Sequence, residues 1–227
     1  MIAVIDYGRG NLGSVEKAFV RIGTPAVVTQ DARVVDEADA VVLPGDGAFH
    51  DAMAGLARLG LLDPVRRALD GRRPFLGICL GYQLLFSTSE EFGEGRGLDV
   101  MPGVVRRFPP GPKVPHMGWN RVWHGGALRL FGGIEDGARF YFVHSYYPTL
   151  DPSSADSQPR ASQARPPADL PGLTAPAPTV AWCTYGLRFA AAIEAGRIYG
   201  TQFHPEKSQR AGVRLLENFA AIVKDGR

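Results

Sequence analysis

Gly77-Ile78-Cys79-Leu80-Gly81 sets a thiol between two glycines, after the apolar run Pro74–Ile78 and ahead of a helical stretch. A sharp strand-to-helix turn exposes its central side chain and needs small neighbours, so the pattern is that of a nucleophile elbow. Cys79 would also stand at a helix N-terminus, where unpaired N–H groups and the helix dipole favour a thiolate. A buried core cysteine beside a tight turn is the alternative. A thiol nucleophile needs a base. Of His50, His116, His124, His144 and His204, only His204 has an evident orienting group, in Phe203-His204-Pro205-Glu206. Pro205 biases His204 toward extended geometry, and residues two apart in an extended segment point to one side. Glu206 would then hold one ring nitrogen of His204 while the other faces Cys79, which gives nucleophile, base and orienting carboxylate. A surface His-Pro-Glu turn without a partner is the competing reading.

Acyl transfer also needs donors for a developing oxyanion. Pro44-Gly45-Asp46-Gly47 is a glycine turn whose backbone N–H groups can approach a substrate, and the amide of Leu80 follows the nucleophile directly. An ordinary strand-to-helix turn would look the same. Gly8-Arg9-Gly10-Asn11-Leu12-Gly13 matches a dinucleotide pattern, with Asp31 near the ribose-binding position, but a pyrophosphate does not explain Asn11 and no nucleotide site is expected. No Cys/His spacing suits a metal, and no cofactor is expected. Cys183, in an apolar strand-like run, reads as core packing. Trp119 and Trp123 suit either core or an interface.

The elements that must position these groups alternate at first. Strands are expected at Ile2–Tyr7, Val27–Thr29, Ala40–Leu43 and Pro74–Ile78. Between them, Leu12, Val15, Phe19 and Ile22 fall at helical spacing. A long helix is expected up to about Leu69, broken at Pro64, and Leu80–Ser87 reads as helical. Alternation of this kind implies parallel βαβ units. Later strands are shorter: Val104–Phe108, Asn120–Trp123, Arg139–Val143, and a hairpin over Ala190–Phe203 that turns at Glu194-Ala195-Gly196-Arg197. Ser208–Lys224 is an amphipathic helix with Ser208 as N-cap and Val213, Leu216, Phe219, Ala220 and Val223 as its buried stripe. The expected fold is α/β: an open, mostly parallel sheet with added antiparallel strands. One domain over residues 1–227 is expected, interrupted at 151–178 by a Pro/Ala/Ser-rich stretch with too few large apolar residues to order itself.

The 227 residues are 45% hydrophobic, which suffices for one substantial core. With 25 Lys+Arg against 23 Asp+Glu the formal charge is +2, which leaves no electrostatic footprint for nucleic acid or an anionic membrane. Two distant cysteines form no disulfide framework, the N-terminus lacks a basic leader, and no apolar run has the length of a membrane span. A soluble cytoplasmic protein is expected.

Several motifs together resemble one family. Gly77-Ile78-Cys79-Leu80-Gly81-Tyr82-Gln83 and His204-Pro205-Glu206 are similar to the class I (triad) glutamine amidotransferases. Asp6-Tyr7-Gly8-Arg9-Gly10-Asn11-Leu12, Pro115-His116-Met117-Gly118-Trp119-Asn120, His144-Ser145-Tyr146-Tyr147 and the extension to Lys207-Ser208 narrow the likeness to the glutaminase subunits of imidazole glycerol phosphate synthase, in histidine biosynthesis. The resemblance covers the chain apart from the Pro-rich stretch and implies a flavodoxin-like sheet. It implies that Cys79 attacks the glutamine amide to form a thioester, that His204 protonates the leaving ammonia, and that Gly45 and Leu80 donate to the oxyanion. Gln83, Glu91, Ser145 and Tyr146 would line the glutamine pocket, with the Glu91 carboxylate suited to the substrate ammonium. The implied partner is a cyclase of (β/α)8-barrel form, in a heterodimer, which receives the ammonia. Arg9, Asn11, His116, Trp119, Asn120, Lys207 and Ser208 would face it. Asp46 departs from the apolar residue usual in the oxyanion turn and is expected to point outward. A triad glutaminase of another synthase, a stand-alone cysteine hydrolase and an inactive interaction module are the rival readings.

Overall fold

The computed structural model describes residues 1–70, 72–150 and 176–226. The Pro-rich stretch expected at 151–178 therefore lies, up to residue 175, outside the described residues.

The chain forms β1 (Ile2–Ile5), α1 (Leu12–Arg21), β2 (Ala26–Thr29), α2 (Ala32–Glu37), β3 (Ala40–Leu43), α3 (Phe49–Arg58), α4 (Leu62–Ala68), β4 (Phe75–Ile78) and α5 (Leu80–Gln83). It continues with β5 (Phe86–Ser89), β6 (Gly95–Arg96), β7 (Met101–Arg107), β8 (His116–Arg121), β9 (Arg139–His144), β10 (Tyr146–Thr149), β11 (Thr179–Tyr185), β12 (Leu187–Ala195), β13 (Ile198–Thr201) and α6 (Gln209–Asp225). Seven strands make one sheet in the order β11-β12-β13-β4-β3-β1-β2. Its β13-β4-β3-β1-β2 part is parallel, and β11 and β12 add an antiparallel edge. A four-stranded sheet (β10-β7-β5-β6) and the β8-β9 pair complete the architecture.

Alternation along the parallel strands divides the core into two layers. Ile2 and Val4, Ala40 and Val42, and Leu76 and Ile78 face a layer closed by Val15 and Phe19 of α1 and Leu215, Leu216 and Phe219 of α6. Ile5, Val41, Leu43 and Phe75 face the other, closed by Phe49, Ala52 and Leu56 of α3, Val65 of α4, and Met101 and Val105 of β7. A sheet covered on both faces needs apolar residues at every position, which is why these strands read as continuous apolar runs. Phe19 and Phe219 meet at 6.1 Å between ring centroids, so the two helices on the first face lean on each other.

Four sequence expectations change. The break in the long helix falls at Leu59–Leu61, where Gly60 takes φ +67, and not at Pro64, which sits in the first turn of α4 where its missing N–H costs nothing. Leu80–Ser87 is helical only to Gln83 and then becomes β5. Val213 is 37% exposed, and Leu215 takes the place expected for it in the buried face of α6. Ser208 stands at the N-cap of α6 without capping it by its side chain, because its hydroxyl is engaged elsewhere. Helix α2 is an addition, held at its start by Asp31 accepting from the Arg33 N–H and at its end by the Arg73 guanidinium donating to the carbonyls of Val35, Asp36 and Ala38.

Candidate active site

Strands β3, β4 and β13 are parallel neighbours, so their C-terminal ends open at one edge of the sheet. That edge is where ligands bind in open α/β folds. The residues following the three strands are the Pro44–Gly47 turn, Cys79 and the segment Gln202–Glu206. The Cys79 N–H donates to the Thr201 carbonyl at 2.7 Å, which extends the β4–β13 ladder up to the thiol. Cys79 then departs from the strand, with φ +53 and ψ −107, and becomes the N-cap of α5. A non-glycine residue with positive φ is strained and persists only where its surroundings fix it. Here Gly77 and Gly81 allow the fix. A Cβ at Gly77 would lie 2.7 Å from the Gly81 oxygen, and one at Gly81 would collide with the Leu43 carbonyl oxygen of β3.

His204 and Glu206 lie beyond β13. The His204 Nδ1–H donates to Glu206 Oε1 at 2.8 Å, and the Glu206 side chain is only 2% exposed. Nδ1 is therefore the protonated nitrogen of the neutral ring, and Nε2 has no hydrogen-bond partner among the described residues. Burial pushes the imidazolium pKa down, but the neighbouring Cys79 sulfur and the Glu206 carboxylate outweigh burial and hold it above its ordinary value. The base and its carboxylate thus favour an imidazolium beside the sulfur.

These groups border a cavity of ≈ 400 Å³ lined by Asp46, Gly47, Cys79, Leu80, Gln83, Glu91, Pro115, Val143, His144, Ser145, Tyr146, His204 and Lys207. Cys79, Leu80, Gln83, Glu91, Ser145, Tyr146 and His204 of the expected site thus meet in one place. Glu91 accepts from the Phe49 N–H at 2.7 Å through one carboxylate oxygen. Burial raises the Glu91 pKa, opposed by that hydrogen bond. Gly45 lies just behind the wall, closed in by Leu80 and by Tyr7, whose hydroxyl occupies the space a Cβ at Gly45 would need. Gly10 packs on the same turn, 3.6 Å from the Gly45 Cα by its own missing Cβ, which accounts for the glycine-rich stretch after β1 without a nucleotide. Asp46 is exposed yet borders the cavity, so it does not stand wholly clear of the site.

Two residues expected at the partner-facing surface are buried. His116 is 3% exposed and stacks on Tyr185 at 4.0 Å, because β8 turns its even-numbered residues inward. Ser208 is 1% exposed; its hydroxyl donates to the His204 carbonyl at 2.6 Å and accepts from the Tyr141 N–H at 3.0 Å, tying the histidine segment to β9. Asn120 is half-buried. Arg9, Asn11, Trp119 and Lys207 are exposed, Arg9 pairing with Asp51 at 3.3 Å and Trp119 touching Tyr141 edge-on. Cys183 is fully buried in β11, with its thiol pKa pushed up to about 12 by burial. Sequence reasoning places Tyr7 and His144 only within motifs, without a role of their own, and passes over Gln202, although period-two alternation in the segment leading to Phe203 puts Gln202 on the side of His204.

Residues 3–223 match the family model described as Glutamine amidotransferase class-I. The HisH subunit of imidazole glycerol phosphate synthase from Moorella thermoacetica is 48% identical over 223 residues, covering 98% of this chain and 95% of that one. The protein of the same name from Methanothermobacter thermautotrophicus is 46% identical, covering 99% of this chain and all of its own. In structure, PurLQS from Thermotoga maritima superposes with a TM-score of 0.68 at 14% identity, covering 97% of each chain. A glutamine amidotransferase from the same organism gives 0.57 at 18% identity, covering 99% of this chain and 84% of that one. The elbow at Cys79, the His204–Glu206 pair behind it and this likeness over nearly the whole chain agree: the chain belongs to the class I glutamine amidotransferases and, within them, to the HisH subunits of imidazole glycerol phosphate synthase.

Proposed function

We propose that this chain hydrolyses glutamine to glutamate and ammonia and delivers the ammonia to the cyclase subunit of an imidazole glycerol phosphate synthase, in the histidine pathway of the cytoplasm. The observation that carries the chemistry is the meeting of a positive-φ Cys79 with the Glu206-oriented His204 in one cavity at the sheet edge. In this reading the Cys79 thiolate attacks the side-chain carbonyl of glutamine. The carbonyl oxygen becomes an oxyanion, held by backbone N–H groups at Leu80 and the Gly45 turn. His204, as imidazolium, gives its proton to the leaving nitrogen, and ammonia departs from a glutamyl thioester. The now neutral Nε2 takes a proton from water, whose oxygen attacks the thioester. Collapse returns the thiolate and the imidazolium and frees glutamate. Glu206 stays ionised and keeps Nε2 turned to the reaction. Glu91, with one oxygen fixed by the Phe49 N–H, is the acceptor for the substrate ammonium.

Ammonia loses its nucleophilicity once protonated in bulk water, so the cavity must open toward the partner. Met117 is 62% and Trp119 43% exposed on the outer side of β8, and Lys207 stands on the cavity wall, which supports a cyclase seated over that rim in a heterodimer. The test uses the complex. Cys79→Ala should abolish glutamine-dependent synthesis while synthesis from added ammonia continues unchanged. Loss of both activities would make Cys79 structural and remove the proposal.

A further inference from the structure

The hydrogen bonds behind the cavity form a chain whose direction is set at both ends. At one end, Asn120 is held in a single amide orientation. Its Oδ1 accepts from the Arg121 N–H at 2.8 Å and its Nδ2 donates to the Thr184 carbonyl at 3.0 Å. Nδ2 also faces His116 Nε2 at 3.3 Å, so that nitrogen must accept. The other His116 nitrogen, Nδ1, therefore carries the proton and donates to His144 Nε2 at 3.0 Å. His144 Nδ1–H then donates to the Tyr146 carbonyl at 2.7 Å. A carbonyl can only accept, so the far end independently demands the same direction.

The Tyr146 carbonyl also accepts from Gln83 Nε2 at 2.9 Å, which fixes the Gln83 amide. Its second N–H donates to Gln202 Oε1 at 3.0 Å. With its oxygen thus committed, Gln202 has only its NH₂ to turn to Cys79 Sγ, 3.7 Å away. Gln202 is fully buried, and both histidines are nearly so. Burial lowers the His116 and His144 pKa values to about 4 and about 3, so both rings are neutral at pH 7 and can hold one tautomer.

We infer that Gln202 is a positioning residue for the nucleophile: the Tyr146 carbonyl, which can only accept, orients the Gln83 amide, and Gln83 in turn makes Gln202 present N–H and not oxygen to the Cys79 sulfur. A donor at that point supports a thiolate, whereas an oxygen would oppose it. The branch Asn120–His116–His144 from the inner side of β8 ends on the same Tyr146 carbonyl, which accepts from both sides and therefore sets the Gln83 amide by itself. This inference rests on the reading of Cys79 as the nucleophile.

Alkylation of Cys79 by iodoacetamide as a function of pH, read by mass spectrometry in the full chain, tests it without glutamine or a partner. The titratable groups around the sulfur are His204 and Glu206, Tyr7, His144, and across the cavity Asp46, Glu91 and Lys207. All remain in the variants. Gln202→Glu should slow alkylation at pH 7 about tenfold and move the profile to higher pH, since a hydrogen bond to a charged group is at stake. Gln83→Met adds no charge but removes the donor to Gln202 Oε1, freeing that amide to turn, and should slow alkylation about threefold. Superposable profiles for the folded variants would overturn the inference. Should Gln202→Glu fail to fold, Gln83→Met still decides. If Cys79 is not the nucleophile toward glutamine, Cys79→Ala leaves glutamine hydrolysis intact whatever the profiles show, so the two failures are distinct.

Discussion

Two kinds of histidine stand within one hydrogen-bonded neighbourhood and are tuned in opposite directions. His204 has Cys79 and the Glu206 carboxylate beside it and is raised, while His116 and His144 are lowered, chiefly by burial and, at His144, also by the charge of the neighbouring histidines. The lowered pair carries a pH consequence. Unfolded, both titrate near 6.5; folded, at about 4 and about 3. Below pH 6.5 the unfolded chain therefore binds more protons, and stability falls as pH drops toward 4 and 3, while above 6.5 the pair contributes no slope. His204 acts in the other window: its contribution is present below 6.5 and lost in the alkaline range. Urea midpoints measured from pH 8 to pH 4 should fall by the equivalent of a few kcal/mol, on the order of one per pKa unit and residue. His116→Phe, which keeps an aromatic ring against Tyr185, should flatten that acid limb. An unchanged slope would mean that His116 is not held neutral by the fold. The same residues show what the sequence reveals at this scale. Cys79, His204 and Glu206 are legible because thiol, imidazole and carboxylate in glycine or proline contexts carry their chemistry on their face. His116 reads as a surface residue because its alternation with Met117 and Trp119 would turn the apolar pair inward, whereas β8 presents that pair to solvent and buries the histidine. Gln202 is a polar residue just past an apolar strand, and its meaning appears only once β13 lies beside β4.

At the scale of elements, the elbow depends on how closely α5 approaches β3. That approach has no room for a side chain at Gly81, where a Cβ would run into the Leu43 carbonyl oxygen. The obstacle is backbone of a fully buried strand, so it cannot swing aside. Gly81→Ala should therefore cost about 2 kcal/mol or more, as overpacked positions do, and lower Tm by roughly 4–8 °C for a chain of this size. It should also displace Cys79, so that glutamine-dependent turnover drops well below the loss in folded protein. Gly13, in the first turn of α1, has open space around its missing Cβ, and Gly13→Ala should hold or raise Tm. Equal thermal behaviour of the two variants would contradict the packing described. The parallel half of the sheet was legible because doubly covered strands are unbroken apolar runs closed by glycine turns. Helix α2 was not, since six residues with only Val35 buried leave no stripe to see. Leu84-Leu85-Phe86 misled for the opposite reason: a short apolar run fits a buried strand or a buried helix equally well, and only the pairing of β5 with β7 selects the strand.

For the whole molecule, the site edge and the outer side of β8 form one region. His116 pairs with His144 across the β8–β9 ladder, and His144 and Pro115 both border the cavity. Beside this rim, Met117 and Trp119 are large apolar side chains left in solvent at 62% and 43% exposure. Single exposed apolar residues are ordinary on a protein surface, but two on one strand face next to the cavity that holds Cys79 are a contact in waiting. Tryptophan in such a place is the residue type that most often dominates a binding interface, with losses of about 2 kcal/mol or more on truncation. Trp119→Ala should therefore weaken association with the cyclase by about thirtyfold, measured by calorimetry on the purified subunits. Its Tm should move little, because Trp119 is 43% exposed and outside the buried core. Val20→Ala is the control. Val20 is 56% exposed near the end of α1, at the opposite end of the sheet from the Cys79 edge, and its loss should leave affinity unchanged. Wild-type affinity for Trp119→Ala with weakened binding for Val20→Ala would move the partner to the other end of the molecule. Ammonia released at Cys79 would then have to cross water to reach it, and direct transfer would be untenable.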